Sequence, residues 1–153
     1  MMFLLATVIA ASTTWPTYSN VRYGYTICYP AGVLPPQPEA DSGDGRKFVS
    51  ADGAELLVFG QWNVNDRRLS DWAVDEAQGY TGKRGRITYR AGRPNWLVLS
   101  GNDGNRFEFY TKTIKRADEF VTFQLRYPAV RARFYRAIVE RLSRCLTLTT
   151  LPL

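Results

Sequence analysis

Two adjoining segments near the C-terminus constrain this chain most. In "EFVTFQLRYP", Val121, Phe123, Leu125 and Tyr127 alternate with Thr122, Gln124 and Arg126. A period of two belongs to a β-strand with one apolar and one polar face. Directly after Pro128 the period changes. In "AVRARFYRAIVERLSRCL", Val130, Phe134, Ile138, Leu142 and Cys145 keep one side apolar, and Arg133, Arg136, Glu140 and Arg144 take the other. Pro128 is suited to open that helix. The pairs Arg136–Glu140 and Glu140–Arg144 stand at supporting i,i+4 positions. A strand and a helix that each carry an apolar face must bury them, so helices are expected to lie on a sheet.

The rest of the chain supplies that sheet. "RITYRAG", "NWLVLSG", "NRFEFYTKTIKR" and "EFVTFQLRYP" form a four-strand meander, separated by "RP", "NDG" and "RADE" turns. Before it, "RRLSDWAVDEAQGYTG" predicts a helix with Ser70 as N-cap and Asp71 in the first turn. Leu69 is placed to pack on Val74. Trp72, Ala73, Ala77 and Tyr80 share one face, and Gly79 or Gly82 ends the helix. "RKFVSADGAELLVFGQWN" reads as a hairpin turning at Asp52-Gly53. "VRYGYTICYP" reads as a strand from Val21 to Tyr29 ended by Pro30, and "AGVLPPQPEADSGDG" as a loop. The expected order is β-ββ-α-ββββ-α, a single α+β domain over residues 18–153 with helices covering an antiparallel sheet. A chain of 153 residues suits one such domain.

The first 17 residues read as a signal peptide and leader. An apolar run from Met2 to Ala11 is followed by small residues, although no Lys or Arg precedes it. The run is too short to span a bilayer, which takes about 20 apolar residues. No lipid-attachment cysteine follows it. The expected location is periplasmic or secreted, and the two cysteines fit that compartment. Cys28 lies in an aromatic strand and Cys145 on the apolar face of the last helix, so both are expected to point inward and form a structural disulfide. The alternatives are two buried thiols or a redox pair, and the second is disfavoured by the absence of C-x-x-C.

The chain contains no histidine. Serine–histidine and cysteine–histidine nucleophile pairs and histidine-ligated metals are thereby excluded. No G-x-S-x-G elbow, S-x-x-K pair or Gly-rich phosphate loop is present, and no cofactor is implied. Net charge is +6 with a pI near 9.5, which suits an anionic partner as well as plain solubility. Asp41 and Asp44 in "DSGDG" invite a calcium reading, but their spacing does not fit an EF-hand loop. With Glu39 they could serve as paired acids for a histidine-free hydrolase, yet nothing apolar surrounds them to raise one pKa. Tight-turn chemistry explains them better. Lys83 to Arg86, "KRGR", reads as a solubilising turn.

Two surfaces are expected to bind. One is a polar outer sheet face carrying Arg90, Tyr110, Lys112, Gln124 and Arg126, an aromatic among cations. The other is a recognition loop with Leu34, Pro35, Pro36, Asp41 and Asp44, since long Pro-rich loops are often functional. Nucleic acid is disfavoured because no RNP-like run is present.

The order of elements, with "RYGYTICYP", "GDGRKF" and the closing "LRYP" before a helix and Cys145, resembles the Mog/PsbP-like fold. That fold hosts a photosystem accessory subunit, a Ran-binding protein and bacterial envelope lipoproteins, and the short motifs are similar to those of small exported bacterial proteins. The resemblance implies an antiparallel sheet sandwiched by helices and an accessory or binding protein more often than an enzyme. The expectation is therefore a non-catalytic envelope protein that recognises a protein or an anionic component. The alternative is an inhibitor or immunity-type protein acting through the Leu34–Gly45 loop.

Overall fold

The computed structural model describes residues 14–149. The expected leader lies largely outside the described residues. Its last residues belong to the folded domain, because Trp15 packs on the core and Thr17 opens the first strand. In chain order the elements are β1 (Thr17–Asn20), β2 (Tyr25–Cys28), β3 (Pro36–Glu39), β4 (Gly45–Val49), β5 (Glu55–Trp62) and α1 (Leu69–Thr81). Then follow β6 (Arg86–Arg93), β7 (Trp96–Asn102), β8 (Phe107–Arg116), β9 (Glu119–Pro128), a 3-10 turn (Ala129–Arg131), α2 (Ala132–Cys145) and β10 (Thr147–Leu148). The expected α+β order is present, with β1, β3 and β10 added. The strand expected over Val21 to Tyr29 is shorter, because Val21 is exposed and Gly24, at φ 57°, closes a tight turn between β1 and β2.

Seven strands make an antiparallel sheet in the order β3-β4-β5-β9-β8-β7-β6, and β1-β2-β10 form a small second sheet. The large sheet is a middle layer. On one face, the small sheet and α2 bury Tyr25, Ile27, Phe48, Leu56, Phe123, Leu125, Tyr135 and Leu142. On the other, α1 buries Ala73 and Ala77 against Leu97, Leu99 and Phe109. Each fully buried Phe or Leu contributes about 1.5–3 kcal/mol, so both faces are substantial cores. The polar side of β9 is therefore not open to solvent as its alternation suggested. Thr122 and Gln124 are buried under α1, where Thr122 hydrogen-bonds Thr113 and Gln124 donates to Glu76 and accepts from Tyr80.

Both helices depart from expectation in detail. Arg68, not Ser70, occupies the N-cap of α1 and provides no side-chain cap, while Gly82 at φ 56° ends the helix. In α2 the inward stripe is Ala132, Tyr135, Ile138, Val139 and Leu142. Val130 and Phe134 are exposed. Tyr135 takes the inner position because its ring stacks on Tyr127 and its hydroxyl is satisfied, donating to Asp52 at 2.8 Å with Ser50 at 3.3 Å.

Asp52, in the predicted hairpin turn, thus anchors α2. Burial alone would raise its carboxyl, but bonds from the Ala54 amide, Tyr135, Ser50 and Arg131 outweigh this and hold it below the usual value. A depressed carboxyl stabilises the fold above its unfolded pKa near 4, and that stability is lost as pH falls through the folded value. Asp52→Asn is expected to lower stability at neutral pH by about 1–2 kcal/mol, discounted for partial exposure. It should also flatten the acid limb of the stability curve below about pH 4. Denaturant titrations across pH check both, and parallel curves for the variant and the parent would show that the carboxylate has no such role.

Candidate binding edge and its flanking recesses

At the end of the large sheet, β6 has only one neighbour, β7. Every second residue of an edge strand turns its N–H and C=O away from the sheet. Among the described residues, residues 86–93 make no backbone–backbone bond outside the β6–β7 ladder. The opposite edge is closed by different means. There β3 is four residues long, carries Pro36 and Pro38, and pairs irregularly with β4. Proline has no N–H to offer, so little of that edge can accept a strand.

The open edge is also the most basic part of the chain. From Lys83 to Asn95 there are five cations, Lys83, Arg84, Arg86, Arg90 and Arg93, and no carboxylate. All five are exposed, and none joins an ion pair among the described residues. In contrast Arg67, Arg68, Arg116, Arg131 and Arg136 are each paired with an acid. Register with β7 places Arg86, Tyr89 and Arg93 opposite Asn102, Ser100 and Trp96 on the α2 side, and Arg90 opposite Leu99 on the α1 side. A bulge between Ile87 and Tyr89 makes this possible by shifting the alternation once.

A recess lies on each side of this region. On the α2 side a cleft of about 440 Å³ runs between α2 and β6–β8, lined by Tyr89, Ser100, Glu108, Tyr110, Tyr127 and Arg136. On the α1 side an open hollow of about 580 Å³ lies beside Tyr80, Lys83, Arg84, Asp103 and Arg126. Burial, helped by Glu108, pushes the Tyr127 hydroxyl up to about 12, and burial with Glu76 and Glu55 does the same for Tyr80. Burial also raises Tyr110. These hydroxyls stay protonated at neutral pH, so they can donate hydrogen bonds but are not poised as general bases.

The five residues expected to share a binding face are divided between two. Tyr110 and Lys112 face α2, where Tyr110 stacks on Phe123 and the Lys112 ammonium, its pKa lowered by burial, donates to the Ser143 carbonyl at 2.7 Å. Gln124 and Arg126 face α1, Gln124 buried and Arg126 lying on the Phe107 ring at 3.4 Å. Arg90 alone is free on the edge strand. The expected recognition loop is likewise redistributed. Leu34 is fully buried and Pro36 starts β3, whereas Pro35 and Asp41 are exposed. Asp44 is used through its carbonyl, which accepts from Tyr25 and the Gly60 amide. Sequence reasoning read Arg86 as part of a solubilising turn and passed over Tyr89 and Arg93. The signal that could have found them is the absence of any carboxylate between Lys83 and Asn95.

No family model matches the sequence, and no curated protein matches it. Among the solved structures similar to it, two align over nearly the whole chain. The solution structure of the cyanobacterial PsbP protein CyanoP from Synechocystis sp. PCC 6803 aligns with a TM-score of 0.64 at 15% identity, covering 95% of this chain and 98% of that one. The crystal structure of the Ran-binding protein Mog1p of Saccharomyces cerevisiae aligns with a TM-score of 0.60 at 10% identity, covering 90% and 96%. With both chains aligned almost end to end, this chain has the Mog/PsbP-like fold.

Proposed function

We propose that this protein is a non-catalytic binding protein of the cell envelope that recognises an anionic partner through β6 and the loop before it. The observation that carries this reading is the run of five exposed cations on the open edge strand and the loop before it, unpaired with any acid among the described residues. Electrostatic complementarity of that kind steers association and selects partners by charge. Three further observations support it. Tyr80, Tyr110 and Tyr127 in the recesses are shifted away from neutrality, no histidine is present, and solved structures with the same fold include one named for binding Ran. The bridge between Cys28 and Cys145 and the apolar run at the N-terminus support export to the periplasm or beyond the cell. The Leu34–Gly45 segment is a weaker candidate, since Leu34 lies in the core and Tyr18, Asn20 and Arg22 hold the segment down through Glu39, Gly43 and Ser42.

The test compares two basic surfaces. Arg86→Gln/Arg90→Gln/Arg93→Gln removes charge from β6, and Arg133→Gln/Arg141→Gln/Arg144→Gln removes it from the outer side of α2. Affinity for polyglutamate and for vesicles containing phosphatidylglycerol is measured at low and high salt. The β6 variant is expected to lose roughly tenfold or more in affinity, about 1.4 kcal/mol, and part of the salt dependence. The α2 variant should bind nearly as the parent does. The reverse outcome would move the site to α2, and equal losses would mean that only net charge matters.

A further inference from the structure

We infer that the partner presents an extended acidic peptide segment, which adds to the large sheet as an eighth strand along β6. This inference rests on the anionic-partner reading above and goes further by naming the ligand class and its mode of docking. Charge alone would suit lipid, polysaccharide or protein, but the edge offers more than charge. Among the described residues its outward N–H and C=O groups have no backbone partner, and only the Gly92 carbonyl is met by a side chain, the exposed Arg93 guanidinium at 3.2 Å; an extended peptide satisfies such groups by ordinary ladder bonds. The strand is eight residues long and free of proline, with Pro94 only after its end, long enough for about four outward-facing positions.

The placement of the cations agrees. They lie on both faces of the edge strand, Arg86 and Arg93 toward α2 and Arg90 toward α1, with Lys83 and Arg84 at its start. A ligand resting on one face of the sheet would meet only part of this set. A strand in the plane of the sheet alternates its side chains between the two faces and meets both parts, and opposite charges in neighbouring strands attract. Tyr89, 55% exposed beside the α2-side cleft, supplies an aromatic surface for one side chain of the incoming segment. A second copy of this chain does not fit the edge, since two β6 strands side by side would bring six arginines together, with Lys83 and Arg84 of each copy at their starts. The same charges that would deter self-pairing select an acidic strand.

The probes are a synthetic ten-residue peptide alternating Glu with Val or Thr, and the same peptide N-methylated at alternate residues in either register. N-methylation removes ladder donors and leaves the charge unchanged. The parent peptide is expected to bind and to slow amide exchange in residues 86–93, and at least one N-methylated form should bind tenfold or more weakly. Binding of all forms with equal affinity, or protection absent from β6, overturns strand addition while leaving the anionic reading intact. Binding to phosphatidylglycerol vesicles with none to the peptide overturns the peptide class and again leaves that reading intact. If Arg86→Gln/Arg90→Gln/Arg93→Gln binds every probe as the parent does, the anionic reading itself fails and takes the inference with it.

Discussion

Cys28→Ser/Cys145→Ser is expected to lose about 4 kcal/mol of stability, most of what a small domain possesses. The bridge joins β2 to the last residue of α2 across 117 positions of sequence. Closing so long a loop removes much of the freedom of the unfolded chain, about 4.7 kcal/mol for a loop near this length on the chain-entropy model. The folded state gives up part of that figure only if the bridge strains it. Local packing argues that the site also holds in its own right, since Cys145 packs on the core and the Cys28 amide points at its sulfur at 3.0 Å. For a domain of this size the loss corresponds to a drop in Tm of roughly 10–20 °C. Thermal melts of the parent with and without reductant, beside the serine variant, measure it. Reduced parent and variant should agree, and a shift of only a few degrees in both would show that packing alone secures the last helix.

Arg116→Met should cost about 3 kcal/mol through a different mechanism. Arg116 ends β8, and its guanidinium donates to the carbonyl of Tyr23 at 2.8 Å and to that of Thr149 at 2.6 Å. It also pairs with Glu119 at 2.8 Å. One side chain therefore ties the β8–β9 turn to the β1–β2 turn and to the end of the described chain. The Glu119 side chain is only 6% exposed, and removing its partner leaves a buried carboxylate uncompensated, which typically costs 3–5 kcal/mol. The double variant Arg116→Met/Glu119→Gln removes both charges and should recover half or more of the loss, because the uncompensated charge is then gone. Urea titrations of the parent, both single variants and the double variant complete the cycle. Additive losses would place the energy in the carbonyl contacts instead.

How much of this was legible in the sequence varies by element. The meander, the hairpin at Asp52-Gly53 and the helix after Pro128 followed from period and turn chemistry. The Cys28–Cys145 bridge fits the expected pairing, but Cys28 is half-buried and alternates with the buried Tyr25 and Ile27 instead of sharing their face. The division of Tyr110 and Lys112 from Gln124 and Arg126 did not, although its cause is simple. A two-residue turn at Ala117-Asp118 pairs Arg116 with Glu119, so facing residues always differ in parity and even positions of β8 share a face with odd positions of β9. Alternation within one strand says nothing of this. The sheet's place as a middle layer had the same effect on Thr122 and Gln124, which look like surface residues until α1 covers them. The rotation of α2 turned on tertiary contacts, since Tyr135 gains Asp52 and Ser50 as partners while Phe134 could gain none. The basic edge was legible as charge and became a site only when β6 was seen to be the last strand.

The small sheet has a consequence for how the molecule could be tethered. Its β1 begins with Thr17 opposite Cys28, and at its other side Leu148 lies opposite Tyr25. Both ends of the described chain therefore leave from one three-stranded patch, which packs over β4 through Tyr18 and Phe48. Between β4 and β6 lie four strands, a span of roughly 24 Å at the usual strand spacing. A linker or fusion ahead of β1 would hold the protein over β4, at the margin far from β6, whereas one after Thr149 would leave beside Arg116 at the end of β8.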